Sequence, residues 1–404
     1  MKRKTDNFAA LLIAIFAIAQ IVILIVFGYT PYPDSNSYIA LANECMQMND
    51  VYPAAQHINQ YPFLWNLGSI NAVECSLALT GSITPLLVLY TFLKAFTTVL
   101  FYLLAKKLCG QQVALIAIII YVIYPANYGE STSVLSELPF MFFVVSGLYL
   151  AIVKRQIVYG GALLAIANYF RPMAIVFIVA MIVYFFSEWR KSARFIVGFV
   201  AMIIVIGVSH KIQSGLFLYQ AKTGWMALMD YSSGSDPRSM AVRDRNDLNV
   251  AQKDAAWRAL TIEWITQHPG EYLAQMPKKI VDTYASDNVN MCTFLPDKNE
   301  REYLYEPLSM RSLISQFPSL SAVQWLTIVN LLIYYTLLIL ALLSVKYYHH
   351  NTHSLAFAII IAGTLILMLV GHGETRFHSP FMPFIIMLSA TTINRVIKQD
   401  LTTF

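Results

Sequence analysis

Charge is what this 404-residue chain has least of: only 13% of its residues are Asp, Glu, Lys or Arg. Soluble domains carry about a quarter, and 57% of this chain is hydrophobic, so a solvated globular domain is excluded as a description of the whole. Long apolar runs point instead to an integral membrane protein. Four cysteines are too few for a disulfide framework. Cys45 and Cys75 share one hydrophilic loop, where a bond between them and two separate buried thiols are both open readings. No Asn-x-Ser/Thr acceptor occurs, so glycosylation gives no clue to compartment, and neither an internal repeat nor a low-complexity tract is visible. The net charge of +5 carries no argument for nucleic acid, because most of the short-loop cations suit a lipid surface.

The most telling gap is local. Residues 29–82 contain no Lys or Arg and open with Pro33-Asp34-Ser35, whereas the short connections after alternate apolar runs carry Lys106-Lys107, Lys154-Arg155 and Arg190-Lys191. Cations are retained on the cytoplasmic side. The asymmetry therefore predicts an extracytoplasmic Asp34 with no cation in its own loop. The N-terminal run 8–28 behind Lys2-Arg3-Lys4 is too long for a signal-peptide core and lacks a small-residue cleavage site, so it reads as an uncleaved first helix.

Spans of about 20 apolar residues are expected at 8–28, 83–105, 112–126, 133–153, 157–170, 172–187, 194–213, 322–345, 354–371 and 380–396. The pair around Arg171-Pro172 is either one broken span or two helices. With a turn there, every cation-bearing end falls on one side, so the turn is expected, with Arg171 near the outer surface. The fold class is thus an all-α polytopic membrane protein of about ten transmembrane helices, with both termini cytoplasmic. Residues 1–213 form an N-terminal transmembrane module with an outer loop 29–82, residues 214–321 a small extracytoplasmic helical subdomain, and residues 322–404 the C-terminal transmembrane helices. Asp34 and Ser35 cap a helix in the first loop, and a second interfacial helix covers 63–79. Helices are expected at 254–267 and 271–284, the latter with Tyr272, Met276, Ile280 and Tyr284 on one face.

Ionisable groups at membrane depth are costly and tend to be functional. The outer-facing set is Asp34, Glu44, Glu130, Glu137, Arg171, His372, Glu374, Arg376 and His378. Each has a bland reading: Asp34 as a helix cap, Glu137 as an acid reaching the interface, Arg171 as an anchor on lipid phosphate, Glu374 and Arg376 as a local pair. Arginine also holds phosphate through a planar fork. Two histidines and Glu374 within a glycine-containing run do not match a known zinc spacing. Lys94, midway along the second helix, should face a partner or a cavity.

Taken in order, these pieces resemble the GT-C superfamily of membrane glycosyltransferases, in the branch around glycosyltransferase family 39 (protein O-mannosyltransferases and aminoarabinose transferases). Pro33-Asp34-Ser35-Asn36-Ser37-Tyr38 is similar to that family's first-loop acid followed by an aromatic. Tyr61-Pro62-Phe63-Leu64-Trp65 resembles its Pro-rich aromatic stretch, and Tyr124-Pro125 through Glu137-Leu138-Pro139 its Pro and Glu-x-Pro. Gly161 to Arg171-Pro172 looks like its glycine-rich helix, and Glu374-Thr375-Arg376-Phe377-His378-Ser379-Pro380 like its acid-x-Arg-Tyr-x-x-Pro, with Phe377 in place of Tyr. The first loop lacks the Lys that some members use for phosphate.

The resemblance implies a polyprenyl-phosphate sugar donor used at the extracytoplasmic face of the plasma (inner) membrane. Asp34 would be the base, Arg376, Arg171 and Lys94 the phosphate ligands, and Glu137, Glu374, Glu44, Tyr38 and His378 would orient sugar or acceptor. The acceptor would be a glycan, lipid or protein hydroxyl. The resemblance fixes no cofactor, and a divalent metal stays open as an alternative ligand of the phosphate. The rival readings are a transporter or flippase of lipid-linked sugars, which calls for polar residues at mid-membrane and paired repeats, and a glycan polymerase or ligase.

Overall fold

The computed structural model describes residues 2–48, 65–234, 236–298, 305–347, 350–371 and 373–402. Among them there is no strand. The helices are α1 (Lys2–Phe27), α2 (Pro33–Met48), α3 (Leu67–Thr80), α4 (Thr84–Cys109), α5 (Gln111–Ile123), α6 (Glu137–Leu148), α7 (Ile157–Phe170), α8 (Ala174–Tyr184), α9 (Trp189–Ser214), α10 (Gly224–Ser233), α11 (Pro237–Arg243), α12 (Val250–Gln267), α13 (Pro269–Tyr284), α14 (Met310–Ser315), α15 (Ala322–Leu343), α16 (His350–Val370) and α17 (Met382–Thr402).

Five segments are long and apolar enough to cross a bilayer: Lys4–Phe27, Thr84–Cys109, Trp189–Ser214, Ala322–Tyr347 and Thr375–Lys398. Residues 111–132 would make a sixth but bend by 77°. Tyr124 leaves the helix in an extended conformation there, ahead of Pro125, as residues before proline tend to. Glu137–Val153, Ile157–Phe170, Ala174–Tyr184 and Ser354–Val370 are apolar but shorter. The chain is therefore a helical membrane protein.

The ends follow from local chemistry. α1 stops at Gly28, whose φ of +63° is open to glycine and whose N–H bonds the Leu24 carbonyl. Reciprocal side-chain and backbone bonds between Asn249 and Gln252 start α12, and those between Ser321 and Gln324 start α15.

At Arg171-Pro172 the chain turns. Arg171 is extended (φ −152°, ψ 127°), and α8 begins only at Ala174. α7 runs parallel to α9, with Val158 against Gly198 and Tyr169 against His210. The intervening α8 must therefore run back, and it packs on α16. The α7–α9 contact depends on missing side chains. A Cβ at Gly161 would sit 2.0 Å from the Phe195 carbonyl oxygen, and one at Gly198 would sit 1.9 Å from that of Val158. Small residues give membrane helices this close approach.

Several expectations shift. The span expected at 133–153 enters its helix only at Glu137, because residues 133–136 are extended or turned. The second interfacial helix is Leu67–Thr80. On α13, Ile280 is 37% exposed while Lys279 is 1% exposed, so the buried face runs through Tyr272, Lys279 and Thr283. No disulfide joins the described cysteines. The motif residues Tyr61 to Leu64, and His372, lie outside the described residues.

Candidate active site

Asp34 lies in the first turn of α2, one residue after Pro33. It therefore does not cap the helix as expected; its carboxylate turns toward the last inter-helix segment. Its neighbours hold that first turn in place. Tyr32 Oη donates to the Val289 carbonyl at 2.6 Å, and Ser35 Oγ donates to the Val134 carbonyl at 2.9 Å. Tyr38 Oη accepts from Asn66 Nδ2 at 2.7 Å. Burial, reinforced by the Asp34 and Glu137 carboxylates, pushes the Tyr38 phenol above its ordinary range. Burial likewise raises Tyr32, and it raises the Cys292 thiol to about 12. These three groups stay protonated; Tyr32 donates to the backbone, whereas Tyr38 accepts from Asn66.

Arg376 belongs to a 3-10 turn, Thr375–Phe381, between α16 and α17. Its Nη1 lies 2.8 Å from Asp34 Oδ2. Its Nε is 2.6 Å from Glu374 Oε1, off the N–H axis, so the hydrogen bond to that carboxylate runs from Nη2 to Oε2 at 3.4 Å. Glu137 Oε1 stands 3.9 Å from the same Nε. The side chains of Asp34, Arg376 and Glu374 are 17%, 18% and 30% exposed, so these three form an open rim.

Beneath the rim is a closed layer. Glu137, the first residue of α6, accepts from Arg171 Nη1 at 2.7 Å, and both side chains are buried. A carboxylate suits a helix N-terminus. Ser136 Oγ accepts from Arg171 Nη1 at 3.1 Å and from Asn66 Nδ2 at 3.2 Å, and donates to Glu137 Oε2 at 3.3 Å. The Arg171 guanidinium lies 5.0 Å over the Phe377 ring, a favourable face for a cation. Arg171 is thus a brace for Glu137 and for the segment carrying Arg376.

Asp34, Glu137, Arg171, Glu374 and Arg376 therefore come together from four separate parts of the chain, with Tyr38 behind them. Three expected residues do not join them. Glu44 lies ten residues along α2 from Asp34, which is about 15 Å of helix. His378 is fully buried and bonds the Thr283 carbonyl through Nδ1 at 2.8 Å. Lys94 sits within the bundle, 2.5 Å from Glu130 Oε2, 3.4 Å from Asn127 Oδ1 and over the Tyr121 ring. Lys94 and Glu130 line a separate polar chamber with Tyr124, Asp287, Asn290 and Ser379. That chamber has a volume of about 30 Å³, enough for a water or two.

Sequence reasoning missed Ser136, Asn66 and Asp287. Ser136 stood directly before Glu137, and Asp287 lay in the polar run Ser286-Asp287-Asn288; Asn66 carried no signal. Among the described residues, no three His, Cys, Asp or Glu side chains are grouped to hold a metal ion. Neither the comparison with family models nor that with curated proteins gives a match.

Proposed function

We propose that the chain is a membrane glycosyltransferase that moves a sugar from a polyprenyl phosphate to a hydroxyl acceptor at the extracytoplasmic face of the plasma membrane. In this reading the ten apolar helices all cross the bilayer, and the rim of Asp34, Glu374 and Arg376 opens outward. The observation that carries it is the Asp34–Arg376 pair. A base and a phosphate ligand meet in one partly open place, from loops at opposite ends of the sequence.

In the transfer, the acceptor oxygen forms a bond to the anomeric carbon as the bond from that carbon to the phosphate oxygen breaks. The acceptor proton passes to Asp34, and the departing phosphate keeps the electron pair. Arg376 stabilises the charge that develops on it. A carboxylate paired with a guanidinium is a poor base. The donor phosphate competes for Arg376, and by taking it releases Asp34 to accept the proton. Base activation is thereby tied to donor binding. Glu137 and Arg171 hold the guanidinium from below, and Glu374 is placed to orient either Arg376 or a sugar hydroxyl.

The test is Asp34→Asn in an assay with a polyprenyl-phosphate sugar. General-base removal should cost on the order of 10²–10⁴ in rate with the fold retained. Unchanged transfer by that variant would overturn the assignment. Mass spectrometry of envelope glycolipids and glycoproteins from cells with and without the gene should reveal one missing sugar, which identifies the acceptor; unchanged profiles would also count against the reading.

A further inference from the structure

His378 lies two residues beyond Arg376, on the same turn, but faces the other way. Its ring is fully buried and lies between those of Tyr284 and Tyr334, at centroid distances of 5.6 and 5.1 Å. Nδ1 is 2.8 Å from the Thr283 carbonyl oxygen. A carbonyl only accepts, so Nδ1 carries a hydrogen. In a neutral ring this leaves Nε2 with a lone pair alone. Nε2 finds no hydrogen-bond partner among the described residues, and it stands 3.6 Å from Asp287 Oδ1. The other Asp287 oxygen accepts the Tyr124 hydroxyl. An ionised Asp287 facing a neutral His378 would set two acceptors against each other in a buried place, at a full desolvation cost.

One proton removes the conflict. Thr283 lies in the last turn of α13, whose unpaired carbonyls favour a cation. The surrounding charge agrees. Asp287 faces the ring from the segment after α13; α15 contributes only the Tyr334 phenol and the end of α5 only Tyr124. Across the chamber, Lys94 and Glu130 already neutralise each other. On its own turn, Arg376 is directed at Asp34 and Glu374. Without an added proton, Asp287 would be, among the described residues, the one buried carboxylate in this chamber wall with no cation, which proteins rarely tolerate.

We propose that His378 and Asp287 share a buried proton as an imidazolium–carboxylate pair, and that this pair positions the turn carrying Arg376. His378 is then a positioning residue, tying α13 and the 285–290 segment to the guanidinium. The proton follows from hydrogen-bond donors alone. The consequence for phosphate rests on the transferase reading above.

The test is ¹⁵N NMR of protein labelled at histidine, in detergent at neutral pH, with the His378 signals assigned by their loss in His378→Gln. Both ring nitrogens should carry hydrogen in the wild type. In Asp287→Asn the side-chain amide can donate to Nε2, so His378 should become the neutral Nδ1–H tautomer. A neutral His378 in the wild type overturns the proposal, and His378→Asn supplies the assignment should His378→Gln not fold. Binding of a polyprenyl phosphate to the same samples tests positioning: His378→Gln should weaken it about tenfold, roughly 1.4 kcal/mol. Wild-type binding by a folded His378→Gln overturns the positioning role. Failure of the wild type itself to bind would count against the transferase reading and leave the NMR result standing.

Discussion

Asp34 Oδ2 and Arg376 Nη1 stand 2.8 Å apart, one from the loop after the first apolar helix and the other from the turn before the last. The pair is only partly exposed, and Arg376 reaches Glu374 at the same time. A lysine reproduces this poorly, because an ammonium is a point charge on a flexible stem whereas the guanidinium is a planar fork that holds both partners in a fixed geometry. On the proposed transferase reading, Arg376→Lys should keep the fold and lose transfer on the order of a hundredfold, the usual cost of removing one preorganised donor. Steady-state rates with a polyprenyl-phosphate sugar check this. Rates within a few-fold of wild type would remove Arg376 from the phosphate site.

The Glu137–Arg171 pair makes a different prediction, because it is buried on both sides. Removing one partner of such a pair leaves the other charged and uncompensated, at a cost of about 3–5 kcal/mol, whereas replacing both with apolar groups of similar volume is far milder. Glu137→Gln should lower the thermal midpoint in detergent strongly. The double variant Glu137→Leu with Arg171→Met should recover much of that loss; on the proposed transferase reading it stays inactive, since the layer beneath Arg376 is gone. If the double variant is as unstable as the single one, the pair is not what holds this layer.

The α7–α9 contact is equally sharp. A Cβ at Gly198 would fall 1.9 Å from the Val158 carbonyl oxygen, and a backbone oxygen cannot step aside as a side chain can. Gly198→Ala should cost about 1–3 kcal/mol by overpacking and loosen the Tyr169–His210 bond, 2.9 Å long, farther along the same interface. Gly224→Ala, at a helix start with open space around it, is the control and should be near neutral. Thermal unfolding of the two proteins separates close packing from a general intolerance of substitution.

How much of this was legible in the sequence depended on the range of the forces involved. Apolar helices were readable, because hydrophobic run length and the Arg171-Pro172 break are local properties; their ends were less so, as at 133–153, whose helix begins only at Glu137. The site was half readable. Asp34, Glu137, Arg171, Glu374 and Arg376 stood out as charges beside apolar runs, but who pairs with whom is decided by packing between distant helices. Asp34 looked like a cap from its neighbours alone; only the arrival of Arg376 shows why its carboxylate turns away. Lys94 was correctly marked as needing a partner or cavity, yet nothing local could say that Glu130 takes it. Lys279 was not singled out, because i+4 spacing pointed to Ile280; the structure exposes Ile280 and buries Lys279 against Tyr231 and Tyr272.

Lys279 carries the last prediction. Its side chain is buried, its Nζ makes no hydrogen bond among the described residues, and it lies 5.2 and 5.1 Å from the ring centroids of Tyr231 and Tyr272. Burial pulls the ammonium down from 10.5 to about 8. At about 1.4 kcal/mol for each tenfold change in protonation, that is a cost of roughly 3 kcal/mol to the folded state, partly offset by the two aromatic faces at about 0.5–2 kcal/mol each. The sign follows from proton uptake. Between pH 8 and 10.5 the unfolded chain binds more protons than the folded one, so stability rises with pH across that window. Below pH 8 both forms are protonated and the full cost is present. Lys279→Met keeps the stem's packing without the charge, so it should stabilise the protein by on the order of 1 kcal/mol at pH 7, with the gain fading as pH approaches 10. Thermal midpoints of both proteins at pH 7 and pH 10 decide it: an equal pH dependence in the two would mean that Lys279 is not charged against its surroundings.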